Sequence, residues 1–209
     1  MNKEILLSLI IISTVAALVS GVTFAFFRDT ETSSGNTFTA GTLDLKIKDG
    51  DQSWSDGITT AEWEMTDMKP GDGPEYGSIC FKNVGSIEAD HLEITCDYTI
   101  DENDCLEQET NCANSPDDMA YYMEITEMTY YYDGNSIDCL PLISDTNGNG
   151  YKDLQDLKVS GVDNLPPPND VGDEKVDIYI KFREEAGNDF QGDTFKLTMI
   201  FTLNQDSSQ

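Results

Sequence analysis

Apolar residues recur at every second position through most of this chain, and that period constrains its fold more than any other feature of the sequence. Thr42-Leu43-Asp44-Leu45-Lys46-Ile47 alternates strictly, as do Leu92-Glu93-Ile94-Thr95-Cys96-Asp97-Tyr98-Thr99-Ile100 and Val176-Asp177-Ile178-Tyr179-Ile180-Lys181-Phe182. Alternation of this kind puts successive side chains on opposite faces of an extended strand, one face apolar. The segment from Phe195 to Leu203 places Phe195, Leu197, Met199, Phe201 and Leu203 together on one such face. Further strands are expected over residues 62–66, 78–84 and 121–132. Seven or eight strands, each with one face to bury, predict an all-β protein: a two-sheet sandwich of jelly-roll or Greek-key type with one core. Three polar insertions interrupt the pattern: the loop bracketed by Cys105 and Cys112, residues 145–160 with a short helical calcium loop, and Leu165-Pro166-Pro167-Pro168-Asn169. The last is too rich in proline for a central strand.

The N-terminus breaks the rule. Residues 5–25, ILLSLIIISTVAALVSGVTFA, carry no charge and follow a short polar start with Lys3 and Glu4. Thr23 and Ala25 stand at the −3 and −1 positions of a cut between Ala25 and Phe26, the small-residue pattern of a signal peptide. A retained membrane anchor is the alternative, since about 20 apolar residues span a bilayer. Arg28-Asp29-Thr30-Glu31 follows at once and favours cleavage. The expected division is a signal peptide over 1–25, an N-terminal strand over 26–48, a sandwich over 49–204 and a frayed tail over 205–209. On either reading the bulk is secreted to the extracellular side or the cell surface, with membrane contact only through the leader.

Charge narrows the partners. Forty Asp and Glu against 12 Lys and Arg give a net charge of −28, which excludes nucleic acid as a partner and favours bound cations. All five cysteines, Cys80, Cys96, Cys105, Cys112 and Cys139, follow the apolar segment, in keeping with an oxidising compartment. Cys105 with Cys112 is the favoured disulfide, and Cys96 with Cys139 the second candidate. An odd number leaves one thiol free or paired with another chain.

One segment has the spacing of a metal site. In Asp145-Thr146-Asn147-Gly148-Asn149-Gly150-Tyr151-Lys152-Asp153-Leu154-Gln155-Asp156, oxygen donors stand at positions 1, 3, 5, 7, 9 and 12 of a twelve-residue calcium loop. Ca²⁺ takes six to eight oxygens, here the side chains of Asp145, Asn147, Asn149, Asp153 and Asp156 with the Tyr151 carbonyl, while Gly150 makes the sharp turn. Asp156 replaces the longer Glu usual at position 12, so its bidentate reach is shorter. A plain Asn/Gly turn in an acidic chain is the alternative. A single loop without a partner hand reads as a clip that holds an insertion, not as a sensor.

No catalytic pattern emerges. HExxH, GxSxG and a Gly-rich phosphate loop are missing from the sequence, and His91, the sole histidine, reads as a surface residue at the start of a strand. The chain is not expected to be an enzyme. Tyr121-Tyr122 and Tyr130-Tyr131-Tyr132 read as sheet surface and core, with an exposed Tyr row able to meet carbohydrate or a neighbouring subunit.

Five short segments, in order along the chain, resemble the TasA and camelysin family of exported surface proteins. They are Thr23-Phe24-Ala25-Phe26-Phe27-Arg28-Asp29-Thr30-Glu31-Thr32, Asn36-Thr37-Phe38-Thr39-Ala40-Gly41-Thr42-Leu43-Asp44-Leu45, Met68-Lys69-Pro70-Gly71-Asp72, Phe81-Lys82-Asn83-Val84-Gly85-Ser86-Ile87 and Asp189-Phe190-Gln191-Gly192-Asp193. The resemblance implies a jelly-roll subunit, cut before the Phe26-Phe27 pair, that polymerises head to tail into an extracellular or biofilm-matrix filament. Its mature N-terminus would be a donor strand for the next subunit, with Phe26, Phe27, Phe38, Leu43 and Leu45 as the polymerisation residues. Strand addition to an open edge satisfies main-chain hydrogen bonds, and a head-to-tail contact that does not close makes a fibre. The cysteines and the calcium-type loop depart from the family pattern. A monomeric calcium-dependent module that binds a surface polysaccharide is the alternative function.

Overall fold

A computed structural model of the chain describes residues 29–30, 42–49, 53–56, 63–65, 69–101, 114–172, 174–190 and 193–205. Ten strands are arranged in two antiparallel sheets: β1 (Asp29–Thr30), β2 (Leu45–Asp49), β3 (Trp63–Met65), β4 (Glu75–Asn83), β5 (His91–Asp101), β6 (Met123–Tyr132), β7 (Asn135–Asp138), β8 (Val162–Leu165), β9 (Glu174–Phe182) and β10 (Thr194–Asn204). The first sheet runs β1-β10-β5-β8, with β3 also on β10, and the second runs β2-β4-β9-β6-β7. The all-β expectation is met: the alternating segments over 92–100, 176–182 and 195–203 fall within β5, β9 and β10, while that over 42–47 enters β2 only at Leu45.

Burial follows the alternation. In β9 every odd member from Glu174 to Phe182 is buried and every even one is half-exposed. Val176, Ile178, Ile180 and Phe182 of the second sheet thus share one core with Leu92, Ile94, Phe195, Leu197 and Leu203 of the first. The inner faces meet directly at Phe81 of β4, whose ring centroid lies 5.5 Å from Tyr130 and 5.3 Å from Phe201 of the opposite sheet. Rings in such tilted or offset pairs contribute beyond the area they bury.

Among the described residues two short α-helices stand outside the sheets. The first, α1 (Pro116–Ala120), opens on a Ser115 cap that exchanges hydrogen bonds with Asp118 and has Pro116 in its first turn, where a missing N–H costs nothing. The second, α2 (Leu154–Ser160), closes the segment expected to hold the calcium loop and buries Leu154 and Leu157 against the core. Two of the resemblance motifs, at 69–72 and 83–87, form connecting turns. Lys69-Pro70-Gly71-Asp72 is a turn in which the Lys69 carbonyl accepts from the Asp72 N–H at 2.8 Å and Gly71 takes φ +94°. The Asn83 carboxamide accepts from the N–H of Asp44 and of Gly85 and donates to the Ile87 carbonyl, tying β2 to the turn after β4.

Two of these strands, β7 and β8, were not expected from the sequence, while β1 falls inside the N-terminal strand expected over 26–48. β7 folds back on β6 through Asp133-Gly134, both in the left-handed region with φ of 45° and 73°, the turn that matches strand twist in a two-residue hairpin. β8 pairs with β5 only at Leu92 and Ile94, and β1 is two residues long.

Candidate functional site: an acidic loop and an open strand edge

The acidic loop is pinned at its far end to the second sheet, where the Ile125 N–H donates to the Lys152 carbonyl at 2.7 Å and Glu124 bridges to Asp153. Within it the Asp145 carboxylate accepts from the backbone N–H groups of Gly148 at 2.7 Å, Asn149 at 3.2 Å and Gly150 at 3.0 Å. Gly150 takes φ +84°, the turn expected of it. Asn147 and Asn149 direct their amide Nδ2 groups to the Asp153 carboxylate, the latter at 2.7 Å. Asp156 accepts from the Thr146 N–H at 2.7 Å and its hydroxyl at 2.8 Å. Asp153 and Asp156 also cap α2 reciprocally. Four of the predicted ligands, Asn147, Asn149, Asp153 and Asp156, thus form one hydrogen-bonded group, with Asp145 folded over the loop backbone.

Asp153 and Asp156 are both fully buried, and no salt bridge to either is formed among the described residues. Burial pushes the Asp153 carboxyl above the usual carboxylate range, against the hydrogen bonds from Asn147 and Asn149 that favour its charged form. Tyr151 turns its ring outward from the loop against Arg183, whose guanidinium carbon is 4.0 Å from the ring centroid. Tyr121 and Tyr122 flank the same guanidinium at 5.1 and 5.3 Å, so these two rings hold an arginine and not a sugar. Tyr130 is core, its hydroxyl donating to the Pro166 carbonyl at 2.8 Å, while Tyr131 faces out.

The cysteine pairing needs correction. Cys80, Cys96 and Cys139 are free thiols. Cys96 lies inside the first sheet on β5 with its Sγ donating to the Leu154 carbonyl, and Cys139 follows β7 of the second sheet with its Sγ directed to the Ile137 carbonyl. Each is satisfied by a backbone carbonyl on its own side of the core, so the expected Cys96–Cys139 disulfide is not formed. Burial drives the Cys96 thiol far above its ordinary range and the Cys139 thiol up to about 11, leaving both unreactive. Cys105 and Cys112 lie outside the described residues.

His91 is also not where the sequence reading placed it. It is 3 % exposed, with Nδ1 3.1 Å from Asp90 and Nε2 3.2 Å from Asp163 and 3.0 Å from the Asn204 amide. β8 and the end of β10 close over the start of β5, a long-range arrangement that adjacent residues do not report. Among the described residues no group of three or more His, Cys, Asp or Glu side chains is arranged to hold a metal ion.

The N-terminal features divide. Ala25, Phe26, Phe27 and Phe38 lie outside the described residues. Leu43 and Leu45, counted above in the polymerisation strand, are buried in this chain's own core, because β2 pairs with β4 over five residues from Leu45 to Asp49. Upstream, β1 lies on the outer edge of β10, Asp29 opposite Leu203 and Thr30 opposite Thr202. β3 occupies the same edge opposite Phe195 to Leu197. Between them, residues 198–201 of β10 have no strand partner on that edge among the described residues, while β5 pairs along the whole opposite edge.

Among the described residues no helix is long and apolar enough to cross a membrane. A comparison with characterised proteins gives no match. The family model described as camelysin metallo-endopeptidase matches residues 1–209, the whole chain. On that match, and on the motifs that the fold turns into its connecting turns, the chain belongs to the TasA/camelysin family.

Proposed function

We propose that this protein is the structural subunit of an extracellular filament, exported by cleavage between Ala25 and Phe26 and polymerised by donation of its N-terminal strand to a neighbour. Its family is one of secreted surface and biofilm-matrix proteins. The observation that carries the reading is the outer edge of β10, where the described residues pair only as the three-residue β3 and the two-residue β1 and leave residues 198–201 without a strand partner among the described residues. An edge of this kind takes an added strand, which satisfies its main-chain groups and buries alternate side chains. Phe26, Phe27 and Phe38 supply the apolar side chains of the donor, while Leu43 and Leu45 stay with their own jelly-roll-type subunit. Electron microscopy of the assembled protein should show fibres that are lost when residues 26–35 are deleted. Normal assembly of the deleted form would show donor-strand exchange to be wrong.

Calcium belongs to the same reading as a clip. Two buried carboxylates side by side without a cationic partner among the described residues are costly, and a hard dication held by Asp145, Asn147, Asn149, Asp153, Asp156 and the Tyr151 carbonyl would offset that cost. The clip would fasten Tyr151 against Arg183 and the loop to the sheet end. Calcium should raise the melting temperature of the wild type, and Asp145→Ala should remove most of that rise. Equal melting in calcium and chelator would refute the site.

The family's printed name carries a metallo-endopeptidase activity, which is the second reading. Catalytic zinc sites use three protein ligands, chiefly His, Glu, Asp or Cys. Here the single histidine is enclosed by Asp90, Asp163 and Asn204 at the end of the first sheet. Casein incubated with purified protein should remain intact with and without added zinc. Cleavage that tracks the purified chain and stops in chelator would favour the peptidase.

A further inference from the structure

Carboxylates outnumber cations in this chain by 40 to 12, so a lysine with a carboxylate beside it needs no explanation. Lys46 pairs with Asp44 and Asp56, Lys158 with Asp97 at 2.9 Å, Lys175 with Asp177 at 2.6 Å and Lys196 with Asp101 at 3.2 Å. Lys48 of β2 and Lys82 of β4 differ. Both stand on the outward face of the second sheet at half-exposed positions, Lys48 after buried Ile47 and Lys82 between buried Phe81 and Asn83. Neither forms a salt bridge among the described residues.

Both ammonium groups lie instead over one indole. Lys48 Nζ is 4.9 Å and Lys82 Nζ 4.6 Å from the ring centroid of Trp54. The indole packs so closely on Gly172 that a Cβ there would meet Trp54 Cζ2 at 2.6 Å. Two cations drawn to one ring repel each other. Lys82 also stands directly opposite Lys46 in the β2–β4 ladder, where like charges destabilise a sheet. Attraction to the indole offsets part of this repulsion, and an anion set between the two ammonium groups would remove it.

The pattern continues across the sheet. Lys48, Cys80, Lys175 and Tyr131 stand in register on β2, β4, β9 and β6, and Lys175 Nζ lies 4.7 Å from the centroid of Tyr131. Lys48 and Lys175 are two strand spacings apart, roughly 10 Å. Farther along the same strands Tyr76 and Tyr179 pair at 5.0 Å, with Tyr76 53 % exposed. One face therefore interleaves lysines with aromatic rings, with Asp177 bonded to Lys175 and Tyr76 among them, on a protein that is otherwise strongly acidic.

We propose that this outward face of the second sheet binds an anionic polysaccharide carrying uronate or sulfate groups. Lys48 and Lys82 hold one acidic group beside Trp54, and the Lys175–Tyr131 pair meets the chain farther on. A protein carboxylate would need only the ammonium groups, whereas the exposed Tyr76 ring adds apolar surface on which the C–H face of a sugar stacks. The acidic remainder of the molecule keeps a polyanion from spreading beyond this face. The carboxylates nearest the site, Asp44, Asp56 and Asp177, are taken up by Lys46 and Lys175, and more distant ones are screened beyond about 8 Å at physiological ionic strength. This inference does not depend on fibre formation.

The test is electrophoresis of the whole protein through native gels containing hyaluronan, dextran sulfate or neutral dextran, at fixed calcium and with sedimentation run in parallel. One or both polyanions should retard the protein, hyaluronan pointing to uronate and dextran sulfate to sulfate, and dextran should not. Lys48→Gln with Lys82→Gln should weaken retention about tenfold or more, as loss of two charge-assisted contacts implies, and Trp54→Ala should weaken it too. The charge-matched pair Lys158→Gln with Lys196→Gln should bind as wild type, and melting curves confirm that each variant is folded. Failure of both polyanions to retard the wild type, equal retardation by dextran, or equal loss in the control pair would overturn the proposal. So would self-association that the Lys48/Lys82 pair abolishes without glycan retention, since the face would then be an interface between copies.

Discussion

Phe81 concentrates much of what a single side chain does in this fold. It is fully buried at the meeting of the two sheets, between Tyr130 and Phe201. Phe81→Ala should cost about 3–5 kcal/mol of unfolding free energy, read from urea denaturation, because a cavity opens where neither sheet can close over it. Asp177 shows the electrostatic counterpart. Burial opposes its charge, yet hydrogen bonds from Lys175, Ser78 and Tyr76 outweigh that and hold the carboxyl below its ordinary range. A carboxyl whose folded pKa is depressed contributes stability above its unfolded pKa of about 3.9 and loses it as pH falls through the folded value. Wild type should therefore lose more stability than Asp177→Asn on acidification below about pH 4, by about 1 kcal/mol. At this scale the chain was readable wherever alternation decided inside from outside, as for Tyr130 against Tyr131. It was not readable for His91, Cys96 and Cys139, whose partners come from strands distant in sequence.

Elements were legible in proportion to their length. β5, β9 and β10 carry enough alternating positions to announce themselves, while β7 and β8, four residues each, are held by their neighbours in the sheet. β7 had a local signal nonetheless, the Asp133-Gly134 pair after an alternating run. Gly134→Ala should cost about 1 kcal/mol in thermal unfolding, since a Cβ at φ 73° is strained while nothing else crowds it. The loop from Asp145 to Asp156 was legible as a spacing, and the structure adds a complication that matters for testing it. Asp153 and Asp156 double as the cap of α2, so their replacement costs stability with or without calcium. Asp145 lies outside the cap and separates the two roles.

For the whole molecule, a net charge of −28 per chain opposes any assembly of like subunits. If the filament reading is right, growth followed by light scattering should accelerate as sodium chloride is raised from about 10 to 500 mM, because screening shortens the range of repulsion from roughly 30 Å to a few ångströms. Growth that slows steadily over that range would count against head-to-tail contacts made through main-chain pairing and apolar side chains. The polysaccharide proposal has the opposite sign, since its contacts are charge-assisted and weaken with salt. The two can be separated in one titration.

The sequence by itself determined that this chain is built of strands, which face of each long strand is buried, and which family it belongs to. Those properties are local: a period of two, turn residues at set positions and short motifs in order. Only the tertiary structure decided that β10 stands between β5 and the short β1 and β3, that Leu43 and Leu45 are buried in the core of their own subunit, and that Lys48, Lys82 and Trp54 share one surface. Strand order and register arise from pairing between segments far apart in the chain, and no local pattern encodes which of several equally amphipathic strands will be neighbours.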